Sequence, residues 1–218
     1  MRNTKLRIVN YVIAVCNLLL AGVFYPLLPD RIPMNWSFDG TAAYSAKYEI
    51  FLMCGMGVLI AFLLDVLPKI DPRRQNYQRF SSYYDSFCVV MQVFLLAMTG
   101  IILTESFRPG TVSVKYVVML AVGLLFMYIG NIMPKFKSNF YCGVKTPWAL
   151  SSEEVWRKSQ RLGGKCFFIA GILIIFSMLL PSSEAAFAVV MAAVFAAVLI
   201  PSVMSYVWWR QEQNNEKH

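Results

Sequence analysis

The chain has 218 residues, of which 58% are hydrophobic and only 15% charged, and its formal net charge is +8. A water-soluble domain carries roughly 25% charged residues, so this composition excludes an ordinary soluble protein and marks an integral membrane one. In such a chain the positive charge reports which side of a bilayer a segment faces, rather than an affinity for nucleic acid.

Six apolar runs follow in chain order, near residues 8–28, 50–67, 86–104, 113–133, 165–181 and 185–207. At about 1.5 Å per residue each crosses most or all of a hydrocarbon core about 30 Å thick, and unbroken runs of this length are helices. The first run has a basic start (Arg2, Lys5, Arg7) but is too long for a signal peptide, and no A-x-A site follows it. Sixteen of the twenty Lys and Arg fall at the two ends of the chain and in residues 68–85 and 134–165. Arg31, Lys47, Arg108 and Lys115 fall in the alternate loops. The positive-inside rule then places both termini in the cytoplasm. The expectation is an all-α polytopic fold: one six-span membrane domain over residues 1–218, in a bacterial cell membrane. Residues 28–49 form an external loop, and residues 134–165 a cytoplasmic loop with a short helix before the fifth span.

The spans are sparing with polar groups. Asp65, Asp85 and Glu105 lie near span ends and none lies at a span centre, which argues against proton coupling. Asn17 and Gln92 suit interhelical hydrogen bonds, and Gly57 with Ala61, or Ala188, Ala192 and Ala196, suit close helix contact. Pro201 is expected to kink the last span, and Trp208, Trp209 and Arg210 to end it at the interface. The five cysteines (Cys16, Cys54, Cys88, Cys142, Cys166) form no C-x-x-C pair and read as small buried thiols, with Cys142 alone in a polar stretch. The sole histidine is His218, and no H-E-x-x-H, G-x-S-x-G or P-loop pattern occurs. No metal, cofactor or catalytic residue is expected, and an enzyme is disfavoured. Glu153, Glu154 and Asp71 are the only acids worth weighing for catalysis, and the glutamates are better explained by capping and ion pairs.

Two polar segments remain. In LPDRIPMNWSFDGTAAYSAKYE, residues 28–49, Pro29 and Pro33 stop helix, Asp39-Gly40 marks a tight turn, and aromatic residues interleave with Asp30, Arg31, Asp39 and Lys47. This loop packs on the bilayer interface or holds a ligand; Asn35-Trp36-Ser37 also matches a sequon. In NFYCGVKTPWALSSEEVWRKSQRLGGK, residues 139–165, Ser151 and Glu154 suggest a capping box, and Leu150 with Val155 a hydrophobic staple. A helix is expected from about Ser152 to Leu162, ending at Gly163-Gly164, with Glu153–Arg157 and Glu154–Lys158 pairs. Arg157, Arg161 and Lys165 share a face. Such a helix lies on anionic lipid, with Trp156 and Leu162 toward the membrane, or docks a cytoplasmic protein.

GNIMPKFKSNFYCGVKTPWALSSEEVWRKSQRLGGK, residues 130–165, resembles the signature of the SdpI family of bacterial membrane proteins. The matching positions include Asn131, Asn139, Gly143, Thr146-Pro147-Trp148, Trp156 and Arg161. LPDRIPMNWSFDGTAAYSAK, residues 28–47, resembles the DUF1648 segment of the same proteins. Three departures stand out: Asn35 and Gln160 where the family usually has histidine, and Lys145 where it usually has arginine. The resemblance implies immunity to a secreted antimicrobial peptide toxin, with sequestration of a cytoplasmic transcriptional repressor as a second role. On that reading Asp30, Arg31, Pro33, Asn35, Trp36, Asp39, Gly40 and Lys47 would sense the toxin. Asn131, Asn139, Gly143, Lys145, Thr146, Pro147, Trp148, Trp156, Arg157 and Arg161 would form the cytoplasmic docking signature. Partners would be the lipid bilayer, the toxin and the repressor, with no direct nucleic-acid contact. The alternative is a small transporter or flippase, whose polar path would use Asn17, Gln92 and Asn131.

Overall fold

The computed structural model describes residues 3–215; Arg2, Lys217 and His218 lie outside the described residues. Six helices are long and apolar enough to cross a membrane, making this a multi-pass membrane protein: α1 (Thr4–Phe24), α2 (Glu49–Ile70), α3 (Ser81–Phe107), α4 (Val114–Ile132), α6 (Glu153–Phe176) and α7 (Ser183–Asn215). A five-residue helix, α5 (Pro147–Ser151), precedes α6. The chain forms two compact units. Among the described residues, one comprises residues 3–66 together with Asp85–Ala121; the other comprises Leu67–Tyr84 and residues 122–215.

In the first unit α1 is capped by Asn3, whose Oδ1 accepts from the Lys5 and Leu6 amides at 3.0 and 3.4 Å. The acids near the span ends are held. Arg7 donates to both oxygens of Asp65 at 2.8 Å, and Asp85 accepts from the Asn3 amide at 2.7 Å. Asn10, Ala14, Asn17 and Ala21 form the buried stripe of α1. Gln92 on α3 donates to the Gly57 carbonyl of α2 at 3.0 Å, so it ties two helices together as its position suggested. Among the described residues the only sheet is a two-stranded antiparallel hairpin, β1 (Arg31–Trp36) and β2 (Ala42–Ala46). It lies within residues 28–49, expected as a loop, and adds one short sheet to the helical fold. Asp39-Gly40 is the hairpin turn: Gly40 has φ +94°, and the Gly40 amide donates to the Ser37 carbonyl at 2.9 Å. The pairing slips between Pro33 and Asn35, where a proline that cannot donate is tolerated.

The second unit is organised by glycines, among them Gly164, which was expected to end a short helix. A Cβ on Gly130 of α4 would lie 2.6 Å from the Gly164 carbonyl oxygen of α6, and one on Gly164 the same distance from the Gly130 oxygen. Seven residues on, Gly123 and Gly171 repeat the arrangement at 2.9 and 2.5 Å. The two helices therefore cross with backbone against backbone, as small residues permit in membranes. Gly163-Gly164 consequently does not end a separate short helix: α6 runs unbroken from Glu153 to Phe176. The short helix before the fifth span is instead α5, one turn started by Thr146 and Pro147. Ser151 is its last residue and donates to the Trp148 carbonyl. Ser152, extended at φ −138°, is the N-cap of α6, so the capping box on Ser151 does not form. Leu150 and Val155 do share one apolar cluster, with Ala149, Trp156, Trp208 and Trp209. The two tryptophans of α7 thus pack half-buried on α5 and α6, and α7 continues past them to Asn215.

Candidate functional site

The first unit presents the hairpin over a cavity. Ile32 is fully buried among Ala21, Leu28, Ile50, Cys54, Ile102 and Leu103, which anchors the hairpin on the ends of α1, α2 and α3. Its base is closed by the Lys47 amide donating to the Asp30 carbonyl at 3.1 Å, and by an ion pair between the same two side chains at 3.1 Å. The Lys47 ammonium also stands over the Tyr25 ring. Asp30 and Lys47 are therefore clamps of the hairpin.

Beneath β1 lies an apolar cavity of about 300 Å³. Met34, Asn35, Trp36 and Phe38 contribute from the hairpin, Met53 from α2, Met98 and Ile102 from α3, and Lys115, Val118 and Met119 from α4. Four methionines give it a deformable wall suited to apolar ligands of irregular shape. A second, more polar opening of about 410 Å³ shares Trp36 and Lys115 and adds Asp39, Gly40, Tyr44 and Glu105. Asp39 accepts from the Thr41 amide at 2.9 Å, and hydrogen bonding to Thr41, first its amide and then its side chain, holds the Asp39 pKa below the usual carboxylate value, with the Lys115 charge adding least. Glu105 is committed to the α3–α4 turn, accepting from the Gly110 and Val112 amides at 2.8 and 2.7 Å. Of the nominated external residues, the structure brings Asn35, Trp36, Asp39 and Gly40 to these openings. Arg31 is an exposed strand residue, and Pro33 is buried at the bulge. Lys115 and the methionines were missed. Lys115 stands at the start of the fourth run, and nothing in its surroundings sets it apart in sequence from Arg108 in the same loop.

In the second unit the signature segment folds inward. Asn139, fully buried, accepts from the Tyr141 and Cys142 amides at 2.9 and 2.6 Å and donates to the Lys137 and Cys142 carbonyls at 2.9 and 3.2 Å. Asp71 accepts from the Phe140 amide, the Arg73 amide and the Tyr77 hydroxyl at 2.9, 2.7 and 3.0 Å. Burial first, then neighbouring charge, raises the Tyr77 phenol well above its ordinary value, keeping it a donor. Arg73 donates to the Leu150 carbonyl at 2.7 Å and to the Ser138 hydroxyl. Gln160 reads the Val144 peptide both ways, its amide donating to the carbonyl at 3.1 Å and its oxygen accepting the amide at 3.2 Å. Gly143 is bent to φ +100° directly against it, where a Cβ would meet Gln160 Oε1 at 2.3 Å. Trp156 is buried and donates its indole N–H to the Phe136 carbonyl at 2.9 Å, so it does not face the membrane. Thr146 caps α5 and meets the Ser205 hydroxyl at 2.7 Å; Trp148 packs edge-on against Tyr206.

Asn131, Lys145, Pro147, Arg157 and Arg161 are exposed. Arg157 pairs with Glu154 rather than Glu153, and Lys158 shares Glu154 at 3.4 Å. Asp71 and Glu154 are thereby occupied structurally. Burial pushes the Cys142 thiol up to about 12, which makes it a poor nucleophile in this otherwise polar stretch. Among the described residues no group of three or more His, Cys, Asp or Glu could hold a metal ion.

Comparison with known proteins agrees with this division. Residues 135–205 match the SdpI/YfhL protein family, and residues 12–58 match DUF1648, a domain of unknown function. The chain is 24% identical over 211 residues to the protein named Immunity protein SdpI of Bacillus subtilis (strain 168), covering 95% of this chain and 97% of that relative. No solved structure matches it. Both matched segments lie in the same chain, and an alignment runs along nearly its whole length, so the chain is similar to the SdpI/YfhL family over residues 135–205 and to DUF1648 over residues 12–58.

Proposed function

We propose that the protein is an immunity protein that protects a bacterial cell from a secreted antimicrobial peptide toxin, which it meets at the hairpin cavity. The observation that carries this reading is the methionine-lined apolar cavity beneath the DUF1648 hairpin, with Lys115 on its wall and Asp39 in the more polar opening that shares Lys115. Apolar side chains of a peptide would fill the cavity, and the paired charges at the rim would orient it. The name of the Bacillus subtilis relative supports the same reading. By the charge distribution, both termini and residues 134–165 lie in the cytoplasm and the hairpin lies outside, where a secreted toxin arrives. A relay to a cytoplasmic repressor would draw on the exposed Asn131, Lys145, Pro147, Arg157 and Arg161, because Asn139, Gly143, Thr146 and Trp156 are engaged in the fold. Transport is less well supported: Gln92, one of the residues it would need, is tied to Gly57.

The test is survival. The chain is expressed in a sensitive bacterium lacking its own immunity protein, which is challenged with a peptide toxin of the kind that family immunity proteins answer. Wild type and Arg31→Gln, a change on the exposed face of the hairpin, should protect equally. Trp36→Ala at equal abundance should lower the tolerated toxin concentration several-fold. Full protection by Trp36→Ala would remove the cavity from the mechanism, and no protection by wild type would remove immunity to that toxin.

A further inference from the structure

The second unit holds a groove that the immunity reading does not use. It is an open cleft of about 530 Å³ at the Gly130–Gly164 contact between α4 and α6. Gly130 and Gly164 form its floor, and Phe168 and Ile169 flank its apolar side. Asn131 of α4, with Arg161 and Lys165 of α6, borders its polar side. Arg161 and Lys165 are four residues apart on one helix and so stand one above the other. Among the described residues neither has an acidic partner, whereas Arg157 and Lys158, one turn earlier, share Glu154. Past Lys165 the helix becomes wholly apolar, and Ile169 is 55% exposed.

A cleft of this kind asks for a ligand with two parts. Two adjacent cations and an amide call for an anion that accepts several hydrogen bonds, and an oxygen-rich phosphate satisfies them. The exposed aromatic and aliphatic wall, on a helix fit to span a bilayer, calls for an acyl chain lying along it. We propose that this groove is a binding site for one anionic phospholipid of the phosphatidylglycerol type, its phosphate on Arg161 and Lys165 and an acyl chain along Phe168 and Ile169. The absence of side chains at Gly130 and Gly164 lets the two helices touch here, so the seam between them is the floor of the groove on which the acyl chain would lie.

Native mass spectrometry of the full chain in detergent tests this, with phosphatidylglycerol and phosphatidylcholine of identical acyl chains competing. Two juxtamembrane cations should favour the anionic lipid by about 30-fold. Arg161→Gln with Lys165→Gln should reduce that preference to about 3-fold or less. Arg157→Gln with Lys158→Gln removes the same charge outside the groove and should leave the preference intact. Glycerol phosphate in excess should not displace the lipid. Equal retention of the two wild-type lipids would overturn the proposal. So would equal losses in the two double variants, which would mean diffuse attraction to basic charge. Displacement by glycerol phosphate would reduce the site to one for soluble anions and overturn it as well.

Discussion

Replacing Gly130 by alanine should open the α4–α6 crossing. The added methyl would sit 2.6 Å from the Gly164 carbonyl oxygen and 2.6 Å from the Phe168 amide nitrogen, both backbone atoms that cannot rotate away. Ordinary contact begins near 3.4 Å, so the helices must part locally by about 0.8 Å, and every neighbouring contact along the seam weakens with them. Overpacking of this kind costs about 1–3 kcal/mol. Alanine also raises helix propensity by about 1 kcal/mol, which would mask part of the effect. Gly22 on α1 supplies the control, because a Cβ there meets nothing within 4 Å. Gly22→Ala carries the propensity gain without the clash, so the difference between the two variants isolates the seam. Unfolding in one detergent should place Gly130→Ala about 1–3 kcal/mol below Gly22→Ala. Adding Gly164→Ala should cost less than it does alone, since the first methyl has already separated the helices. Equal stability of Gly130→Ala and Gly22→Ala would refute the close crossing.

Two further outcomes probe the signature segment. Gln160→Leu leaves the Val144 amide and carbonyl buried without partners; at about 1–3 kcal/mol per orphaned group it should be among the most damaging single changes in the loop, measured by the same unfolding assay. Cys142, with its thiol pushed up to about 12, should react with iodoacetamide at pH 8 about a thousand-fold more slowly than an unperturbed cysteine. Unfolding with denaturant should restore ordinary reactivity, and fast alkylation of the folded protein would contradict the buried environment. Because the folded pKa is raised, the contribution of this thiol to stability is complete below its unfolded pKa near 9 and is lost as pH rises toward 12.

The spans were legible because a run of eighteen or more apolar residues has few alternatives, and the charges near their ends had partners close at hand. The hairpin was less legible. Asp39-Gly40 carried a hairpin signal, but Pro33 and the bulge beside it break the alternation of β1, so the segment reads as an aromatic loop. At Ser151-Ser152 both residues suit a helix start, and the choice is made by α5, which uses the first as its last turn. Trp156 has amphipathic surroundings in sequence, yet its indole N–H finds the Phe136 carbonyl, a partner twenty residues away that no local pattern names. The glycine seam did leave a trace. Gly123 and Gly130 are seven apart, as are Gly164 and Gly171, and two such spacings in separate spans are what a close crossing requires.

The residues that carry the family resemblance are, in this chain, chiefly the ones that build the loop. Asn139 organises four backbone groups, Gly143 makes room for Gln160, Thr146 starts α5, and Trp156 holds Phe136. Each is engaged within the fold, Thr146 reaching Ser205 of α7 as well, so exchanging any of them tests whether the loop folds before it tests what the loop meets. The departures follow the same logic. Gln160 stands where a histidine is usual, and it satisfies both the amide and the carbonyl of Val144, which needs a donor and an acceptor together. A neutral imidazole carries one of each on opposite sides of its ring and cannot direct both at the amide and carbonyl of one residue. Gln160→His should therefore keep one of the two bonds and destabilise the loop less than Gln160→Leu. Equal losses in the two variants would show that the paired bonds act only as a unit.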